Sequence, residues 1–521
     1  MLSPVVPWRR RPAGALFSDG GTSVLLLLIL GFGLALRIVF WYGVGLVDSF
    51  AYADAAASIA RGIPAFDPQI HGNLYYTQYI RFSLTLPAAL LYRVFGPGNV
   101  VSTLVPIGAS LGIAVIAFEL ARRVAGNRAG LIAAFLACIF PVNVINSTQF
   151  LPDTMMAFFC GLTMLLFLVA FEDEHTRRAR LWLSFATGVA WACAFYGKQT
   201  SVALAMPFVF LVVARRRFHG EFFAGVPGAL LVVAAIQVVL VSLGGSFLQD
   251  VRTVVAEGRN SQPGALQYTD IDFTYLADLL HDPMFIPTTI LACAGLALAV
   301  SAEGFRGFVR GRSFPLLVLV IGQYLYFEFL MRLPGLYSWW KEPRYVLSML
   351  IPMFALAGIG FVRWLELLDG GARRVAVVYV AGGLLFATAV TVQTVRNDHA
   401  YFLANRPDQV EIDLARAIGE QPPATIFTWD DDLARYLSFH LGLDQTSVYE
   451  RFHNVGLVRN RFDAAGHELV EPGALVAVGY LQDQPGAPTA APKEWRPVWV
   501  APGVITLYRV PEGWHRDQPV E

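Results

Sequence analysis

Eleven apolar stretches of roughly bilayer-crossing length run through this chain. They lie near 22–42, 100–121, 129–147, 153–171, 181–196, 200–214, 222–243, 284–300, 314–331, 344–364 and 375–393. A helix needs about 20 mostly apolar residues to cross the hydrocarbon core. The pattern therefore predicts a polytopic α-helical membrane protein. Composition agrees: 55% of the residues are hydrophobic and 15% charged, far from a soluble mixture. Formal net charge is zero, which gives no hint of nucleic acid. Cys138, Cys160, Cys193 and Cys293 all fall inside apolar runs, with neither metal spacing nor a disulfide framework.

Arginine sets the threading. Cytoplasmic loops carry excess Lys and Arg. A twelfth apolar stretch, Phe82–Phe95, is short, contains Pro87 and is flanked by Arg81 and Arg93. Laid in the outer interface as an amphipathic segment, it leaves every basic cluster on one side. Those clusters are Arg9–Arg11, Arg122/Arg123/Arg128, Arg177/Arg178/Arg180, Arg215–Arg217, Arg306/Arg310/Arg312 and Arg373/Arg374. Eleven spans then put the N-terminus inside and the C-terminus outside. Arg9–Arg11 followed by Val24–Val39, with no small-residue cleavage site, reads as an uncleaved signal anchor.

The expected organisation is a cytoplasmic segment 1–21, a transmembrane domain 22–393 and an extracytoplasmic domain 394–521. Two long outer loops, 43–99 and 244–283, interrupt the transmembrane part. Ser49–Ala60 and Phe273–Leu280 are expected as short helices within them. The tail changes composition towards charge and proline. Glu411–Gly419 reads as a helix, Asp430–Leu441 as another, and Thr425–Trp429, Ser447–Tyr449, Leu475–Gly479 and Ile505–Arg509 as strands. That makes a small α/β domain. No inverted internal repeat of the transporter kind is found.

Chemistry-bearing residues gather on the outer face. Asp48 follows the first span closely; it is placed to take a proton from a hydroxyl, or to cap the helix that follows. Asp153 stands beside Pro152 at a helix start, which is also ordinary first-turn chemistry. Lys198, one of three lysines in the chain, sits in a hairpin of almost no length. An interfacial lysine snorkels; it also attracts phosphate strongly where solvent screening is weak. Lys341, Glu342, Arg344 and Tyr345 precede the tenth span, beside Trp339 and Trp340 of an aromatic belt. Arg344 fits either an anchor or a second clamp on an anionic head group. Arg259 and His281 are further candidates in the 244–283 loop. Arg37, deep in the first span, must face protein or a polar cavity; Asp48 is a carboxylate it could pair with.

The segment LALRIVFWYGVGLVDSFAYADAAASIARG resembles the start of polytopic GT-C glycosyltransferases, the protein-mannosyltransferase, aminoarabinose-transferase and RgtA/B/C/D-like group. In that group an early arginine precedes an Asp-Glu-x-x-Tyr-like motif; here the motif stands as Asp48-Ser49-Phe50-Ala51-Tyr52, with Ser49 in place of the second acid. YGKQTSVALAMPF is similar to the group's lysine-bearing hairpin, and EPRYVLSMLIP to its Arg-Tyr motif opening a late span. The paired prolines usual before the interfacial helix are missing; only Pro87 is near.

The resemblance implies a sugar donor carried on a polyprenyl phosphate and inverting transfer at the outer face of the plasma membrane. The acceptor would be a lipid, a glycan or a protein. Asp48 would deprotonate the acceptor hydroxyl, with Asp153 orienting it or sharing the site. Lys198, Arg344 and Arg259 would hold the donor phosphate. Tyr52, Tyr345, Glu342 and His281 would contact substrate. No particular cofactor follows; a divalent metal is an open option, with Asp48, Asp153, His71 and His281 as available ligands but no diagnostic spacing. The rival readings are a transporter or flippase for a lipid-linked sugar and a non-catalytic membrane scaffold.

Overall fold

The computed structural model describes residues 20–45, 47–62, 80–171, 175–216, 219–248, 250, 273–330, 343–404, 409–422, 424, 426–428, 433, 437, 472–478 and 491–513. Each of the eleven apolar stretches is helical. In chain order, α1 is Gly20–Val39, α2 Val47–Arg61, α3 Phe82–Phe95 and α4 Asn99–Ala125. They are followed by α5 Asn127–Ile139, α6 Pro141–Ser147, α7 Pro152–Ala170 and α8 Arg177–Phe195. A short 3₁₀ turn, Gln199–Leu204, leads into α9 Ala205–Ala214, and another, Gly220–Ala224, into α10 Gly225–Ser242. Then come α11 Thr274–His281, α12 Ile286–Arg310 and α13 Phe314–Glu328. The 3₁₀ turn Pro343–Val346 opens α14 Leu347–Leu367, and α15 is Gly370–Ala404.

Seven helices among the described residues are long and apolar enough to cross a membrane, or eight with α5 and α6 taken as one broken span. The break is a 57° bend at Phe140-Pro141, where Pro141 opens α6 and brings no N–H to continue the ladder of α5. The stretch 129–147 thus reads as one span in sequence and is two helices in space.

α14 is the axis of the bundle. Its residues from Leu347 to Val362 are buried without exception. It packs against α4, α5, α7, α12 and α13. A helix apolar on every side is what a central position in a bundle requires. Close approach is made at Gly360, where a Cβ would lie 1.7 Å from the Gly295 carbonyl oxygen of α12. Small residues at such contacts let two backbones meet.

Arg37 of α1 is fully buried. Its Nη1 donates to the Gly33 and Cys138 carbonyls at 2.7 and 3.2 Å, and its Nε to Ser110 Oγ at 3.0 Å. Nη2 also donates to Ser110 Oγ. Ser110 donates in turn to Asn143 Oδ1 at 2.9 Å. Every acceptor of Arg37 among the described residues is neutral. The guanidinium fork ties α1, α4 and the α5–α6 break together.

Beyond α15, α16 (Gln409–Gly419) and four strands form the tail. The strands are β1 Ile426–Thr428, β2 Leu475–Val478, β3 Arg496–Ala501 and β4 Ile505–Arg509, in sheet order β1-β2-β4-β3. β1 and β2 are parallel; β4 is antiparallel to both β2 and β3. Leu414, Ala415 and Ile418 of α16 share one cluster with Ile426, Leu475, Ala477 and Leu507. Val476 and Val478 face a second cluster with Trp495 and Val510. β2 is therefore apolar on both faces and central. β3 was not expected from sequence, whereas the helix of α16, β1, β2 and β4 were. The strand expected at Ser447–Tyr449 and most of the helix expected at Asp430–Leu441 lie outside the described residues.

Candidate active site

Asp153 occupies the first turn of α7, after the extended Leu151 and the proline that starts the helix. Its side chain is 1% exposed, so water does not solvate it. Two cations do so instead. Lys198 Nζ donates to Oδ1 at 2.7 Å, and Arg344 Nε lies 3.6 Å from Oδ2.

Lys198 reaches that point because of the turn that carries it. α8 closes at Phe195, and the amides of Gly197 and Lys198 both donate back to the Ala194 carbonyl. Gly197 passes against the first turn of α7, where a Cβ would stand 3.1 Å from the Met156 amide nitrogen and Cα. Lys198 itself is extended and precedes the 3₁₀ turn Gln199–Leu204. Its side chain is 15% exposed, and its ammonium also lies 3.5 Å from the centroid of the Tyr345 ring. An ammonium over an aromatic face is held by the ring quadrupole. Burial holds the Lys198 ammonium below the usual lysine range, against the opposing pull of Asp153.

Arg344 and Tyr345 come from the 3₁₀ turn that opens α14, with the Arg344 guanidinium carbon 5.9 Å from the Tyr345 centroid. A third cation was missed by sequence reasoning. Arg81, immediately before α3 and 8% exposed, donates through Nη1 to Gln199 Oε1. Its charge acts on both Asp153 and Lys198. The same edge is stitched by Ser83, whose amide donates to the Tyr196 carbonyl at 3.3 Å and whose hydroxyl donates to the Cys193 carbonyl. The sequence offered only an arginine directly preceding a short apolar helix; its place beside the lysine-bearing hairpin comes from packing.

Asp48 lies in the first turn of α2; its side chain lies outside the described residues. The segment that leads to it is tied to the segment that leads to Asp153. The Gly43 amide donates to the Thr148 carbonyl at 2.9 Å, and Gly43 bridges Gln149 in parallel. This single bridge holds Gly43, five residues before Asp48, beside Gln149, four residues before Asp153. Tyr52 packs on a cluster formed by Phe50, Leu84, Phe150 and Met155, which flanks Asp153. His281 ends α11 exposed to solvent, and no hydrogen bond or ion pair joins it to the cluster among the described residues. Arg259, Glu342, Lys341 and His71 lie outside the described residues.

A carboxylate whose oxygens face an ammonium and a guanidinium is poorly suited to hold a metal cation. Among the described residues, no group of three or more His, Cys, Asp or Glu side chains is positioned to do so. What the cluster can do is bind an anion: Lys198, Arg344 and Arg81 converge at the end of a helix bundle where screening is weak.

The fold defines a class, a polytopic helical membrane protein with a cluster of cations around a buried carboxylate at one end of its helices. A sequence profile described as dolichyl-phosphate-mannose-protein mannosyltransferase matches residues 85–241, a stretch that contains Asp153 and Lys198. The crystal structure of ArnT from Cupriavidus metallidurans in the apo state superposes with a TM-score of 0.62 at 15% identity, over 94% of this chain and 98% of that one. The same protein bound to undecaprenyl phosphate gives 0.62 and 15%, over 93% and 97%. The Archaeoglobus fulgidus oligosaccharyltransferase tethered to an acceptor peptide gives 0.56 and 16%, over 82% and 64%. A search of curated proteins finds no match.

Proposed function

We propose that this chain is a membrane glycosyltransferase that moves a sugar from a polyprenyl-phosphate donor to a lipid, glycan or protein acceptor, with inversion at the anomeric carbon. The observation that carries the reading is the convergence of Lys198, Arg344 and Arg81 around Asp153. It is supported by a fold shared with a protein crystallised with undecaprenyl phosphate.

As the C1–O bond breaks, negative charge grows on the leaving phosphate. Fixed cations already aimed at that position stabilise the transition state more than the ground state. Lys198, Arg344 and Arg81 take this role, with Arg259 as a further clamp. Asp153 positions Lys198 and Arg344 against each other. Asp48 takes the proton from the attacking hydroxyl. Tyr52, Tyr345, Glu342 and His281 contact the substrates. The site faces the extracytoplasmic side of the plasma membrane, with the N-terminus cytoplasmic, and the tail from residue 394 lies above it and selects the acceptor.

The test is to reconstitute the full chain in liposomes with a labelled polyprenyl-phosphate sugar and an envelope-lipid extract. Label must pass to an acceptor that no longer carries the polyprenyl chain, and Lys198→Met must stop the transfer while remaining folded in the membrane. Movement of label across the bilayer without a product would instead mark a transporter. Mass spectrometry of envelope glycolipids and glycoproteins after deletion of the gene would identify sugar and acceptor together.

A further inference from the structure

Tyr196 and Lys198 are separated by one residue and turn to opposite partners. Lys198 meets Asp153; Tyr196 donates its hydroxyl to Asp250 Oδ2 at 2.7 Å. The other Asp250 oxygen accepts from Gln237 Nε2 at 2.9 Å, and Gln237 Oε1 accepts from the Leu248 amide at 2.7 Å. Asp250 is 6% exposed, and no Lys, Arg or His pairs with it among the described residues. Its two donors among the described residues, the Tyr196 hydroxyl and the Gln237 amide, are both neutral. A buried carboxylate left without a cation carries a desolvation cost that two neutral hydrogen bonds offset only in part. Each of its oxygens keeps a lone pair for a further donor.

Asp250, Tyr196 and Gln237 stand at the polar end of a cavity of about 320 Å³ whose remaining walls are apolar. Trp191, Ala229 and Val233 line it and also line a second cavity of about 350 Å³, which continues between α8 and α10 to Phe222 and Val226. The run from Gln237 to Val226 along α10 is about 16 Å at the helical rise, roughly half the hydrocarbon core. This is a groove with the depth of a lipid chain and a negative end. A phosphate-ended lipid would place like charge against Asp250; an ammonium-ended one would place a cation against it.

We propose that the α8–α10 groove binds a long-chain amphiphile whose polar end is an ammonium, held by Asp250, at a site separate from the phosphate-binding cluster at Lys198. The two poles lie on either side of Gly197. The hairpin thus holds an anionic lipid end on one side and a cationic lipid end on the other.

The experiment uses the purified full chain in lipid nanodiscs. Three photoreactive probes share one long diazirine-bearing chain and end in an ammonium, a hydroxyl or a phosphate. Peptide mapping after illumination is expected to place the ammonium probe on α8 and α10 near Trp191 and Val233, at least about tenfold above the phosphate probe, the scale of one charge-assisted contact. Asp250→Asn should remove that preference and leave labelling by the hydroxyl probe in place. Ala229→Trp, which fills the groove where the two cavities join, should suppress all three. Equal or stronger labelling by the phosphate probe would overturn the proposal and make the groove a path for a phosphate-ended lipid. Unchanged ammonium labelling in Asp250→Asn would overturn it too, as would labelling spread over the bundle surface. The three-probe comparison needs only the native chain, so a poorly folding Asp250→Asn does not blunt the test.

Discussion

Asp153 and Lys198 share a 2.7 Å contact between Oδ1 and Nζ while only 1% and 15% of their side chains reach solvent. Breaking a buried pair costs about 3–5 kcal/mol, because the surviving charge stays buried. Asp153→Asn and Lys198→Met should each abolish transfer. In thermal unfolding, the double variant should be more stable than the sum of the two single losses by at least about 1 kcal/mol. Additive losses would show that the two charges do not act as a unit.

The Tyr345 ring lies 3.5 Å from the same ammonium. A partly desolvated cation–π contact is worth about 1–2 kcal/mol, or roughly 5–30-fold in an equilibrium constant. Tyr345→Leu should therefore raise the KM for the polyprenyl-phosphate donor by about that factor. Tyr345→Phe keeps the aromatic face and should stay close to the native value. Titrating donor in both variants separates the ring from the hydroxyl: if phenylalanine is as damaging as leucine, the hydroxyl is what matters.

Burial lowers the Lys198 ammonium below the ordinary lysine range. The charged form binds phosphate, and a lowered pKa means that form is lost as pH rises, earlier than for a free lysine. Donor kcat/KM should accordingly fall on the alkaline side before ordinary lysines titrate. That limb reports the free enzyme. Lys198→Arg, weaker overall because its fork does not fit a point-charge position, should lack the limb, since arginine stays charged. A native profile that stays flat through that range would remove Lys198 as the titrating group.

Much of the bundle was legible because lipid imposes length and apolarity on every span. Phe82–Phe95 forms a helix over the bounds expected of it, opened directly after Arg81 and with Arg93 in its last turn. Where the chain bends, the same reasoning ran together what the structure divides, as at Phe140-Pro141, because the apolar pattern continues across the break. The opposite happened at α12, which extends past the apolar run to Arg310 across a positive-φ kink at Gly304. β3 escaped because Pro497 interrupts it and its burial does not alternate. In the site, a lysine stood out because the chain has three. Arg81 did not, since nothing local distinguishes it from Arg93 at the other end of α3. Only the packing of α3 against the hairpin makes one a site residue and leaves the other reaching the Ala60 carbonyl.

Two glycines separate site geometry from bundle stability. At Gly360 a Cβ would sit 1.7 Å from the backbone oxygen of Gly295, so two long helices must part for it. Overpacking of this kind typically costs about 1–3 kcal/mol, and backbone against backbone has no flexible side chain to yield. Gly360→Ala should lower both the yield of folded protein and its melting temperature. At Gly197 the nearest atoms, on Ala194 and Met156, stand at 3.1 Å, so a few tenths of an ångström suffice. That small shift moves Lys198 relative to Asp153, and misplacement on the ångström scale can cost about a hundredfold in rate. Gly197→Ala should therefore melt close to the native protein yet lose most of its transfer activity. The reverse ranking, with Gly197→Ala unstable and Gly360→Ala merely slow, would mean that the hairpin serves the bundle rather than the site.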